Sequence, residues 1–163
     1  MARKSYTIVS VSAEVDPYAK TGGLGDVARS LPKSLQRLGQ NVIIFTPLYK
    51  QVTDLKKHKV KKIIDNTPIV IDSTTTIGAS LYQAELVPKL PVYLISIERY
   101  FGRSKNLYGS EIDNARFYAF DVAVIEFMKL LNIKPDIIHC HDWHAGLIPE
   151  LLKKRYKQEA IFK

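Results

Sequence analysis

Two apolar patterns alternate along the chain, short β-branched runs and stripes at three- and four-residue spacing. Tyr6-Thr7-Ile8-Val9-Ser10-Val11-Ser12 is rich in side chains that suit a pleated surface and predicts a first strand. After Gly22, Gly23 and Gly25, the residues Val27, Leu31, Leu35 and Leu38 recur at helical spacing, which predicts an amphipathic helix stopped by Gly39. Pro32 lies inside that stripe, where it removes a backbone donor; a kink is expected, with the helix continuing beyond it. Val42-Ile43-Ile44-Phe45 is apolar throughout, as a parallel strand covered on both faces should be.

The stretch from Lys61 to Val87 reads differently. Ile69-Val70-Ile71 and Ser80 to Val87 are strand-like with short links, predicting an antiparallel hairpin inserted on the parallel scaffold. Val92 to Ile97 resumes the parallel sheet, and an aromatic loop from Tyr100 to Tyr108 follows. Phe117, Phe120, Val124, Phe127, Met128 and Leu131 mark the longest helix, Asp113 to Leu131, with Asp113 or Asn114 as its cap. A strand Ile137 to Cys140 and a last helix from Ala145 to Tyr156 complete the alternation. Glu159 to Lys163 looks like the entry to a further strand. Strand and helix in turn predict a three-layer α/β domain with a mainly parallel sheet, whose ligands sit at the carboxyl ends of strands.

The 163 residues form one domain-sized unit, and a single cysteine excludes a disulfide scaffold. No apolar run approaches the ~20 residues that span a bilayer, and the start, Met1 to Tyr6, is not followed by the apolar stretch of a secretory leader. A cytoplasmic address is expected, with no membrane partner. The formal charge is +8, and Lys50 to Lys62 alone carries six lysines against Asp54. That run has no phenyl, phenol or indole ring on which a base could stack and no arginine, so it reads as solvated surface, not a nucleic-acid site.

Two constellations could do chemistry. Lys20-Thr21-Gly22-Gly23-Leu24-Gly25-Asp26 lies between the first strand and first helix, where backbone donors and the positive helix end favour an anion such as a phosphate. It matches neither G-x-x-x-x-G-K-[ST] nor G-x-G-x-x-G, and Thr46-Pro47 stands where a ribose-binding acid would end the second strand; a nicotinamide or flavin is not expected. His139-Cys140-His141-Asp142-Trp143-His144 closes a strand. His139 and His141 share a face, so a metal site, histidines packed at a strand end with Asp142 capping the next helix, and a histidine facing the ligand of the glycine turn are all open readings. The order H-x-H-D-x-H is not the metal-binding H-x-H-x-D-H, and no His or Cys follows downstream.

Ser12-Ala13-Glu14-Val15-Asp16-Pro17-Tyr18-Ala19-Lys20-Thr21-Gly22-Gly23-Leu24-Gly25-Asp26-Val27 resembles the opening motif of bacterial glycogen synthases and plant starch synthases. The resemblance extends to Tyr100-Phe101-Gly102-Arg103, Leu107-Tyr108-Gly109, Asp113-Asn114 with Arg116-Phe117, and Lys134 to Leu147. It implies a retaining glycosyltransferase that moves glucose from ADP-glucose, or UDP-glucose, to the non-reducing 4-hydroxyl of an α-1,4-glucan, with no metal or redox cofactor. It implies a Rossmann-like domain, residues 1–163, as the N-terminal half of a two-domain GT-B enzyme. The partner domain, which carries the nucleotide site, is expected to be absent and the chain alone inactive. The main alternative is a non-catalytic glucan-binding module.

By the same resemblance, Lys20 contacts the donor's phosphates, the backbone of Gly22, Gly23 and Gly25 lines that pocket, and Asp26 shapes the loop. Asp113 and Asn114 line the acceptor side. His141, with Asp142, lies against the transferring glucose and steadies its cationic transition state. Gly102 stands where the family often has aspartate.

Overall fold

The computed structural model describes residues 4–163, so the start at Met1–Arg3, part of the leader reading, lies outside the described residues. Six strands form one sheet: β1 (Thr7–Val11), β2 (Asn41–Pro47), β3 (Lys61–Val70), β4 (Thr76–Val87), β5 (Leu90–Ser96) and β6 (Ile137–Cys140), in the order β3-β4-β5-β2-β1-β6. β5, β2, β1 and β6 run parallel, while β4 pairs antiparallel with both β3 and β5. The predicted hairpin is therefore an extension of the same sheet, a meander that carries the chain from β2 to its neighbour β5.

Alternation along β2 shows how the layers are built. Val9, Val11, Ile43, Phe45 and Ile95 join one apolar core with the helix α2 (Asp113–Leu130) and the short α3 (Ile148–Lys154). Ile44, Leu90, Val92 and Leu94 join a second core with Ala28 of α1 (Gly23–Arg37). Helices thus cover both faces of the parallel strands, the arrangement that makes such strands apolar throughout.

The helices depart from the predicted stripes in instructive ways. α1 runs through Pro32, but it faces the sheet with Gly25, Ala28 and Pro32, leaving Val27 50% and Leu38 56% exposed. Small residues allow a close approach, and that outweighs the larger side chains one position away. α2 is buried on nearly every side, and its cap position is Ile112 without a side-chain bond. The expected capping by Asp113 or Asn114 is therefore not made. Asp113 turns back instead to accept bonds from the N–H of Gly109 (2.6 Å) and Ser110 (3.2 Å) and from the Ser110 hydroxyl (2.7 Å).

The last helix is shorter than expected. Trp143–Ala145 forms a 3₁₀ turn, closed by the Gly146 N–H on the Trp143 carbonyl at 3.0 Å, and α3 starts only at Ile148 with Pro149 in its first turn. Ala160–Phe162 is a 3₁₀ turn and not the start of a strand. No helix among the described residues is long and apolar enough to cross a membrane.

Candidate functional site

Adjacent parallel strands bring the two sequence constellations to one rim. β1 ends at Val11 opposite Cys140 of β6, and the His141 N–H continues the ladder to the Val11 carbonyl at 2.9 Å. The chain leaves β1 into the segment that leads to Lys20 and leaves β6 into Asp142-Trp143-His144. Both turns stand at the carboxyl edge of the sheet, where ligands of such folds bind.

The glycine turn is organised around Glu14, a residue the sequence reading quoted but gave no role. Its carboxylate is fully buried. Oε2 accepts from the N–H of Thr21 (2.6 Å) and Gly22 (3.1 Å), and Oε1 from the hydroxyls of Thr21 (2.9 Å) and Tyr108 (2.6 Å). Burial pushes the Glu14 pKa up, but those donors, Tyr108 foremost, outweigh it and hold the carboxyl below its ordinary value. Two backbone donors expected to face a phosphate are thus already taken. The donors left to an anion are the N–H groups at the start of α1, from Gly23 onward, which have no partner one helical turn back.

Lys20 lies at the mouth of this turn and pairs with Asp26 across 2.6 Å, both side chains being substantially exposed. The hydrogen bond to Asp26 raises the Lys20 pKa, so its ammonium is fully charged at neutral pH. Gly22 and Gly23 would place a Cβ in open space, whereas a Cβ on Gly25 would meet Lys20 Cγ at 2.9 Å and Cβ at 3.1 Å. Gly22 and Gly23 therefore matter for what approaches from outside, and Gly25 for seating Lys20.

Tyr108 joins the two turns. Besides its bonds to Glu14 and Thr21, its ring packs on His144 with centroids 4.9 Å apart. Its loop is anchored by Arg116, buried to 1% exposure, which donates to the Leu107 carbonyl at 2.6 Å and pairs with Asp113 at 2.7 Å. Asp113 is thus occupied by Gly109, Ser110 and Arg116, which makes it a positioning residue for the Tyr108 loop. Asn114, beside it, is exposed and faces out.

The histidines divide. His139 and His141 do share a face, with rings stacked 4.1 Å apart, yet no group of three or more His, Cys, Asp or Glu assembles for a metal ion among the described residues. His141 is 7% exposed and its Nε2 lies 3.1 Å from the Ser10 hydroxyl; burial and His139 push its pKa down to about 4. Its ring is thereby tied to β1.

Asp142 adopts φ 63° and ψ −179°, a conformation that strains a residue with a Cβ, and accepts from the Trp143 N–H at 2.7 Å. This strained step throws Trp143 and His144 forward; their rings stack at 3.9 Å. His144, 2% exposed, has both ring nitrogens unpartnered, and burial lowers its pKa. His144, Tyr108 and Glu14 are the site residues that sequence reasoning passed over. The signal for them was their place inside the quoted motifs, because nothing in their local spacing distinguishes them.

The sequence profile of the starch synthase catalytic domain matches residues 7–163. This chain belongs to that family. Glycogen synthase of Geotalea uraniireducens is 40% identical over 160 residues, covering 95% of the chain and 32% of that protein. Glycogen synthase of Aliivibrio fischeri is 40% identical over 173 residues, covering 99% of the chain and 33% of that protein. The catalytic domain of starch synthase IV from Arabidopsis thaliana, solved bound to ADP and acarbose, matches 97% of the chain with a TM-score of 0.85 at 31% identity. The family member described here spans about a third of the length of these relatives.

Proposed function

We propose that this chain provides one wall of the active cleft of a retaining glucosyltransferase, which moves glucose from ADP-glucose to the non-reducing 4-hydroxyl of an α-1,4-glucan. The observation that carries the reading is the meeting of the Lys20 turn and the Asp142-to-His144 turn through Tyr108. It is supported by the match to a starch synthase domain solved bound to ADP and acarbose.

In this reading Lys20 leaves Asp26 for the donor diphosphate, whose charge is greater than that of one carboxylate. The N–H groups at the start of α1, from Gly23, face the same anion, and the bare Gly22 and Gly23 let it come close. Asp26 keeps the unliganded lysine in place. The bond from glucose C1 to the diphosphate oxygen breaks, C1 joins the acceptor O4, and the proton of that hydroxyl passes to the departing phosphate. Lys20 offsets the charge that gathers on the leaving group.

Asp142 is exposed at the strained turn and serves the glucose hydroxyls. His141 contributes from behind by fixing the strand end through Ser10 and Val11, its neutral ring placing no positive charge beside the cationic sugar. Asn114 faces the acceptor.

Calorimetric titration with ADP-glucose, UDP-glucose and maltoheptaose tests the reading. Donor binding that falls at least tenfold in Lys20→Ala supports it, and the two nucleotide sugars rank the base preference. Glucan affinity with no donor affinity would replace it with the non-catalytic module. The chain alone is expected to give no glucan synthesis, since most of the relatives' length has no counterpart in it.

A further inference from the structure

A hollow of about 570 Å³ lies between the turn that leads into β3 and the paired start of β3 and end of β4. No residue of the Lys20 turn or of the turn after β6 lines it. We propose that this hollow binds a small phosphate monoester that keeps free hydroxyls, and that its occupancy reaches the Lys20 turn through His58 and Tyr18. The site itself rests on geometry, and only its consequence for the nucleotide-sugar donor rests on the glucosyltransferase reading.

The lining divides by chemistry. Lys59 and Lys61 are exposed and neither forms an ion pair among the described residues, whereas Lys50 and Lys62 of the same run are paired with Glu98 and Asp65. Lys59 stands at φ 52°, in a turn closed by its own N–H on the Lys56 carbonyl (3.1 Å) and by the Val60 N–H on the Leu55 carbonyl (2.9 Å). The backbone, not a partner acid, sets where its stem begins. With His58 beside them, these two ammonium groups suit a doubly charged phosphate. Gln83 and Glu85 of β4 add to the polar lining; Glu85 repels a bare anion but accepts from hydroxyls, and Gln83 can donate or accept. Ile63 and Pro88 offer a carbon skeleton an apolar wall, and no phenyl, phenol or indole ring stands there for a base to stack on. A hydroxylated phosphate ester meets all of these demands, while inorganic phosphate, a bare sugar and a nucleotide each miss one.

The link to the reaction side is a ring contact. His58 meets Tyr18 edge on, with centroids 5.4 Å apart and planes at 65°. Tyr18 is buried in the second core and precedes Lys20 by two residues. Its turn is tight: the Val15 carbonyl accepts the N–H of Tyr18 (2.8 Å) and of Ala19 (3.1 Å), and the Val15 N–H donates back to the Ala19 carbonyl at 3.0 Å. Burial foremost, and the Glu85 charge after it, push the Tyr18 pKa up to about 12, so the acid of the hollow also lies near that phenol. A phosphate that holds His58 therefore fixes the face on which Tyr18 rests, and through it the backbone that presents Lys20. Coupling of this kind is reciprocal, so ester and donor each change the other's affinity by the same factor.

Amide chemical shifts of the chain in solution test both halves. Glycerol 3-phosphate and ribose 5-phosphate are expected to shift Lys59, Lys61 and Gln83 saturably at millimolar concentration, with smaller shifts at Tyr18, Ala19 and Thr21. Glycerol and inorganic phosphate should act far more weakly. Lys59→Ala and Lys61→Ala should each weaken the response ~5- to 10-fold, the scale of one net hydrogen bond, while Lys20→Ala should leave ester binding at the hollow as it is. His58→Ala should keep the shifts at Gln83 and lose those at Tyr18, Ala19 and Thr21. The proposal is overturned if neither ester gives a saturable shift, if inorganic phosphate binds as well as the esters, if the response is lost with Lys20 and not with Lys59 and Lys61, or if the shifts stay confined to the hollow. Absence of ADP-glucose binding would instead remove the transferase reading and leave the ester site standing.

Discussion

Tyr108 donates its hydroxyl to Glu14 at 2.6 Å across 94 residues of sequence. This contact, with the one between the Tyr108 and Thr21 hydroxyls at 2.7 Å, ties the loop after β5 to the turn after β1. Because the same tyrosine packs on His144, three segments far apart in sequence are fixed to each other at the rim. The arrangement of the cleft therefore depends on a buried carboxylate that touches no ligand in the proposed reaction.

Glu14→Gln keeps the shape and removes the charge. One amide nitrogen would then confront donors that need an acceptor, and the stability loss should be about 1.5–3 kcal/mol, the range for hydrogen bonds to charged groups. The sign of its pH dependence follows from the lowered pKa. Stability from Glu14 is fully present above the ordinary carboxylate value and is lost as pH falls through the folded one. Thermal unfolding of parent and variant should therefore converge at acid pH and diverge toward neutrality; a constant gap would sink the assignment.

Tyr108→Phe is the milder test of the same link. It removes one donor to Glu14 but keeps the ring against His144, so a loss of about 1–2 kcal/mol is expected. The more telling readout is amide exchange at Thr21 and Gly22. Their protection should fall although both lie far from residue 108 in sequence, whereas unchanged protection would mean that the turn is held without the tyrosine.

His141 gives a second pH signature. Its pKa is about 4 in the folded chain, against an ordinary 6.5, because burial and His139 disfavour the charged ring. The unfolded chain takes up a proton below pH 6.5 while the folded chain does not, so this residue's contribution is full above 6.5 and declines toward pH 4. The whole decline amounts to about 3 kcal/mol. Comparing parent with His141→Gln from pH 4 to 8 isolates it from other groups. A difference that does not narrow as pH falls would show that the ring titrates normally and faces water.

How much of this was readable from the residues varies with the kind of interaction. The strands were legible because Val42 to Phe45 and Ile137 to Cys140 carry their environment in their own composition. The helix faces were less so: Val27 and Leu38 announced a buried stripe, but Gly25 and Ala28 decide the packing, since closeness to the sheet is a tertiary demand that periodicity does not encode. Asp113 looked like a cap because acids before helices often are; its true partners, Gly109 and Arg116, depend on a loop geometry invisible in the pattern. The rim location of the two constellations followed from topology alone. The partner of the His141 ring did not, because its bond to Ser10 joins two strands 131 residues apart in sequence.

Asp121 titrates in the opposite sense to His141. Its pKa is raised to about 8 from an ordinary 3.8 by burial, so the folded chain holds a proton that the unfolded one releases. Stability from this group is greatest below 3.8 and falls as pH rises toward 8. Asp121→Asn, which cannot ionise, should therefore unfold at progressively higher temperature than the parent as pH increases from 4 to 8. Equal melting at both ends of that range would place the carboxylate in a wetter setting than its 1% exposure implies.

The glycines separate seating from access. Gly23→Ala adds a methyl into open space in the first turn of α1, and alanine is the better helix former, so the fold should gain about 0.4–1 kcal/mol. If a donor diphosphate approaches that backbone, the same methyl stands in its way and ADP-glucose affinity falls despite the added stability. Gly25→Ala acts inside the protein: its Cβ would lie 2.9 Å from Lys20 Cγ, a flexible stem that can move aside, so the chain folds but the ammonium is displaced from the mouth of the turn. Both variants should weaken donor binding, one with a raised and the other with an unchanged or lowered melting temperature. Donor binding indifferent to Gly23→Ala would mean that the anion lies elsewhere, since nothing within the protein occupies the space that this methyl would fill.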